Sequence, residues 1–184
     1  MNWRVGMYIF LLCLGLMACQ KDTQAVAIIP AFFDLSDFFK KEQETLSKKI
    51  IGLSKKITIN GRIEEQRLDS FDLSKELAIF IAADINRPAW LDQYQIDSLK
   101  DEQGALKTLK YKALTDNLKT KELVINYEDG EVEEIYIKKA ISTMAAASFQ
   151  ELTYYKGTGY TNKNERSMVF SETNAIQLDV KFLE

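Results

Sequence analysis

Few side chains in this sequence could do chemistry, and their spacing narrows the choice further. The 184 residues include no histidine, and the cysteines are Cys13 and Cys19. Metal sites built on His and Cys, Ser-His-Asp triads and Cys-His pairs therefore lack their members. Carboxylate, lysine and serine chemistry survives. Gly157-Thr158-Gly159 lacks the GxxxxGK[ST] spacing of a phosphate loop and no helix signal follows it, so it reads as a turn. A glycosidase needs two carboxylates flanking a cleft, and among 27 acidic residues no spacing singles out a pair. The expectation is a non-catalytic protein with no cofactor and no metal.

Three places remain as candidate sites. Glu42 falls near the middle of an apolar helical stripe, where a carboxylate can sit in a cavity with a raised pKa and clamp a ligand, or lie at the open end of a core or pair with a lysine. With Phe38, Phe39 and Leu46 it makes a candidate ligand cavity. Asp84, Arg87 and Trp90 cluster at a helix end and form a candidate interaction site, because Trp and Arg often anchor interfaces. The alternative there is a helix stop, with Asp84 and Arg87 as a surface pair and Trp90 as a plug over the sheet. Tyr154, Tyr155 and Tyr160 add aromatic surface, and strand alternation puts Tyr154 and Tyr155 on opposite faces.

These residues must be held by elements that the hydrophobic periods outline. Asp34 precedes Leu35, Phe38, Phe39, Leu46, Ile50 and Leu53, a spacing that predicts an amphipathic helix over 34–54. Asp34 is its N-cap, Asp37 suits its first turn, and Lys40, Lys41, Glu44, Lys48 and Lys55 point mostly outward. Asn60-Gly61 between Ile57–Ile59 and Ile63–Leu68 signals a two-residue hairpin. A second helix, apolar on most sides, is expected from Ser74 to Ile85 and is stopped by Pro88.

From there the pattern is of strands, near 92–99, 107–115, 119–127, 132–141, 144–156, 159–171 and 175–183. At Glu128-Asp129-Gly130 a three-residue loop with a left-handed Gly130 sets Leu123 opposite Ile135 and Lys121 opposite Ile137. It keeps Leu123, Ile125, Ile135 and Ile137 on one buried face. Ala145-Ala146-Ala147 is small enough for the long helix to cross there, the alternative being a short helical turn. The fold class is α+β: an N-terminal helix and a second helix on one face of a curved antiparallel β-meander, like half of a barrel.

The N-terminus gives an address. Arg4 is followed by a nearly unbroken apolar run from Val5 to Met17, an n-region and an h-region too short to span a bilayer before Lys21 and Asp22 restore charge. Leu16-Met17-Ala18-Cys19 resembles the lipobox of bacterial lipoproteins. That resemblance implies a signal peptide over 1–18, diacylation of Cys19 by palmitate-like chains, a lipidated tether over 19–33 and a single domain over 34–184. Two acyl chains suffice for stable anchoring. Cys13 would leave with the signal, so no disulfide would staple the domain. Gln20-Lys21-Asp22 is similar to the charged signals that send some lipoproteins to the outer face of the outer membrane, although any polar tether would also fit.

From Cys19 onward 23 Lys and Arg stand against 27 Asp and Glu, a net charge of −4, which argues against nucleic acid as a partner. The membrane, reached through Cys19, and a protein of the cell envelope are the partners expected. The order of elements is similar to that of the half-barrel lipoprotein carriers of the envelope. Two functions follow: protein association at the membrane surface, or holding an acyl chain or other apolar ligand between helix and sheet.

Overall fold

Asp34 starts the first helix as its position predicts, its Oδ1 accepting from the Asp37 N–H at 2.8 Å. The helix α1 runs Leu35–Leu46, and the stripe Leu35, Phe39, Glu42 and Leu46 is its buried face. The fold is that of a computed structural model, which describes residues 31–168 and 171–184; the signal peptide, Cys19 and most of the tether lie outside them.

The chain does not stay helical to residue 54. Ile51 N–H donates to Leu183 O, and Gly52–Ile59 becomes strand β1. Ile50 and Leu53 fit a helical stripe and a buried strand equally well, and sheet pairing decided between them. Gly52 favours that outcome: glycine weakens a helix by about 1 kcal/mol, and here the backbone passes so close to Leu68 O that a Cβ would lie 3.1 Å away. Lys55 consequently points inward and pairs with Glu76 at 2.7 Å.

Strand β2 (Arg62–Leu68) returns through Asn60-Gly61, both at positive φ as a type I′ hairpin requires. Helix α2 (Leu73–Ile81) is capped by Asp72 and buries Leu73, Leu77 and Phe80. A 3₁₀ turn, Pro88–Trp90, leads to seven more strands: β3 (Tyr94–Lys100), β4 (Leu106–Ala113), β5 (Thr120–Glu128), β6 (Glu131–Ser142), β7 (Ala146–Tyr155), β8 (Gly159–Met168) and β9 (Ser171–Leu183). All pairings are antiparallel, in the order β2-β1-β9-β8-β7-β6-β5-β4-β3. The protein is α+β, an open curved meander with both helices on its concave face.

The β5–β6 turn shows how register was kept. Its loop is two residues, Asp129-Gly130, both at positive φ, and Glu128 pairs with Glu131. A register shift between Asn126 and Tyr127 then skips Glu133, so Ile125 opposes Ile135 and Leu123 opposes Ile137. The four residues do share one buried face. The odd residue needed to achieve this sits in the strand as a bulge, not in the loop.

Cross-strand rows on the concave face explain where the helices lie. Leu109, Ile125, Ile135, Tyr154, Tyr160 and Val180 follow one another across β4–β9. Two rows nearer the β6–β7 hairpin the sequence becomes Thr120, Lys139, Gln150, Asn164, Ile176 and Ile59. The helices cover the apolar row, where burial is favourable, and leave the mixed row open toward β8, β9 and β1, while Thr120 at its other end is buried and donates to Ala83 O. α1 therefore meets β7 at Tyr154 and does not cross at Ala145–Ala147, which form a bend and the start of β7 at the opposite end of that strand.

Candidate functional site

The space between helices and sheet is filled by aromatic side chains. Phe39 stacks on Phe80 with centroids 4.8 Å apart, and Tyr154 meets both edge-on at 5.0 and 5.8 Å. Phe38 closes one side of this cluster and Tyr160 and Phe182 the other. Phe39 and Leu46 are fully buried, so the residues expected to line a ligand cavity are packed core instead.

Glu42 lies inside that packing and accepts the Tyr154 hydroxyl proton at 2.5 Å, which removes the need for a lysine partner. Glu76 occupies the same place on the stripe of α2, between Leu73 and Phe80. It accepts from Tyr160 Oη at 2.6 Å and binds Lys55 through its other oxygen. Burial, then the neighbouring carboxylate, pushes both phenols far above their usual range. Every buried polar side-chain atom among the described residues has a partner. These pairs fasten two helices to one hairpin. Among the described residues no cluster of His, Cys, Asp and Glu could hold a metal ion.

Asp84 does not pair with Arg87. Its Oδ1 accepts instead from the Asn86 N–H and Nδ2, at 2.8 and 3.0 Å. Asn86 in turn ties down the entering chain: Oδ1 accepts from the Phe32 N–H at 3.0 Å and Nδ2 donates to Phe33 O at 3.1 Å. Arg87 lies 4.6 Å over the half-buried Trp90 ring. The cluster is thus a helix stop and a clasp for Phe32, which packs edge-on against Tyr94 and Tyr111. Phe32, two residues before the expected start of the domain, is already part of the core. Tyr154 is buried while Tyr155 on the other face is 42% exposed, as alternation requires.

Three exposed apolar side chains come together elsewhere. A bowl of about 630 Å³ opens at the uncovered end of the concave face. Ile59, Ile141 and Ile176, each 43–46% exposed, supply its apolar wall. Thr143, Ser148, Asn164, Arg166 and Asn174 supply donors and acceptors around them. The rows β6–β9 and β1 bring these residues together from positions as far apart as 59 and 176. No local spacing marks them, and only the register of five strands does.

No helix among the described residues is long and apolar enough to cross a membrane. Comparison with protein-family models, with curated proteins and with solved structures finds no match to this chain.

Proposed function

We propose that this protein is a non-catalytic lipoprotein of the cell envelope, tethered through Cys19, whose open bowl holds a segment of a partner protein at the membrane surface. One observation carries the reading: the helix–sheet interior is filled, while Ile59, Ile141 and Ile176 stand exposed together with polar groups around the bowl. A polypeptide segment suits such a wall because it offers apolar side chains to Ile59, Ile141 and Ile176. Its backbone also offers hydrogen-bonding groups to Asn164, Asn174 and Arg166. An acyl chain would satisfy only the first set and would leave the amides to be desolvated without partners.

The second reading, a carrier of an apolar ligand, is favoured by size alone, since the bowl falls within the roughly 300–1,000 Å³ of ligand sites. Full-length protein isolated from envelopes in mild detergent should bring down one protein in constant ratio. Ile141→Asp and Ile176→Asp should lose it, whereas Leu99→Asp, on an edge strand away from the bowl, should keep it. Saturable uptake of a fluorescent fatty acid, abolished by the same two bowl variants, would decide for the carrier.

A further inference from the structure

The hairpin ends that form one rim of the bowl, and share Ile141, Ala146 and Arg166 with it, carry a second property. From Ala140 to Gln150 the sequence has no charged residue, in a chain that is 28% charged. This stretch is the β6–β7 hairpin end. Met144 at its tip is 100% exposed, and Ile141 and Phe149 are about half exposed. Ala146 pairs with Met168, so the exposed end of β8 stands directly beside it. Met144 buries nothing within the monomer, Ile141, Phe149 and Met168 leave nearly half of their surface uncovered, and apolar surface of this kind marks a contact surface.

We infer that the ends of the β6–β7 hairpin and of β8 rest in the interfacial layer of a lipid bilayer. The path of the chain favours lipid over another protein. Phe32 packs on Tyr94 and Tyr111, and Tyr94, opposite Ala113, lies two residues nearer the hairpin ends than Tyr111 does. The described chain thus enters the domain at Phe32, nearer to these ends than to the β3–β4 turn, and residues 19–31 precede it in the sequence. Even fully extended, those residues reach only about 40 Å, so an anchor at Cys19 holds this side of the domain near the membrane. Lys138 and Lys139 precede the uncharged stretch and Arg166 precedes Met168, while Glu151 stands opposite Lys138 and Glu165 opposite Phe149, so charges of both signs begin at the depth of lipid headgroups when the tips enter. The inference rests on the anchor for its direction and not on the identity of the bowl's occupant.

The test uses the full chain in phosphatidylethanolamine/phosphatidylglycerol vesicles. An environment-sensitive probe is attached at Met144→Cys or, as a control, at Glu102→Cys in the β3–β4 turn at the opposite end of the sheet. Blue-shifted emission, quenched by spin-labelled lipid, is expected at position 144 and water-like emission at 102. Phe149→Asp, with its fold checked by near-ultraviolet circular dichroism, should weaken the quenching at 144. Water-like emission at both positions in vesicle-bound protein overturns the inference, as do equal shifts at both. A shift at 144 that requires added envelope protein assigns the surface to a protein instead. A chain that carries no acyl mass and does not float with vesicles removes the anchor and, with it, this inference.

Discussion

Tyr154 and Tyr160 face each other as a cross-strand pair in the β7–β8 hairpin, and each hydroxyl donates to a glutamate from a different helix. Glu42 comes from α1 and Glu76 from α2, 34 residues apart in the chain. One hairpin thus fixes the rotation of both helices, because either glutamate would be buried without a partner if its helix turned.

Tyr154→Phe should destabilise the protein by about 1–3 kcal/mol, since it leaves the Glu42 carboxylate buried with no donor. Glu42→Gln keeps an acceptor for Tyr154 and should cost less. Urea unfolding of the two single variants and the double variant measures the coupling directly, and additive effects would mean that the pair contributes no coupling.

Alkali should unfold the protein in a defined window. Burial raises the Tyr94 phenol to about 12 from the usual 10, and its hydroxyl donates to Thr120 O at 2.8 Å. Burial, followed by the Glu151 carboxylate, raises Tyr136 to about 12 as well. A folded-state pKa above the unfolded value means that the folded protein binds more protons between these limits. Stability is therefore fully present below pH 10 and is lost as pH rises toward 12. Tyr94→Phe should lower stability at neutral pH by about 1 kcal/mol and flatten part of that alkaline slope. Thermal melts between pH 8 and 12 test both effects.

Gly159 should tolerate a side chain poorly. It sits at φ +151°, and a Cβ there would lie 2.0 Å from Val180 O, so the backbone of β9 would have to move. Gly159→Ala should cost about 3 kcal/mol or more, whereas Gly157→Ala, at φ +69° with open space around it, should cost about 1 kcal/mol. A comparison of their unfolding midpoints is sufficient.

Cys19→Ser should abolish lipid labelling and release the protein from the membrane fraction, because no helix among the described residues could hold it there. Sedimentation of unlabelled protein with membranes would contradict the lipid anchor.

Local signals in the sequence placed most elements, although the loop at Asp129-Gly130 has two residues and not three, with Leu123 opposite Ile137 and not Ile135. Asp34 capped its helix, Asn60-Gly61 made its hairpin, and the seven strands after Trp90 fell close to their expected bounds. What local pattern could not decide was competition between distant partners. Ile50 and Leu53 suit a helix until Leu183 offers Ile51 an acceptor, and Asp84 suits Arg87 until Asn86 is held in place by Phe32. Glu42 was visible because it interrupts an apolar stripe. Glu76 interrupts the stripe of Leu73, Leu77 and Phe80 in the same way, and that spacing was the signal available for it. The bowl had none, since Ile59, Ile141 and Ile176 become neighbours only through strand order and register.

The most direct measurement is a scan with a photo-activated cross-linking amino acid in living cells. It would be placed in turn at Ile59, Ile141 and Ile176 in the bowl and at Leu99 and Tyr155 outside it. One protein adduct of constant mass at the three bowl positions, absent from the other two, is the result predicted. Adducts of equal yield at all five positions, or none at the bowl, would contradict the assignment of this surface as the binding site.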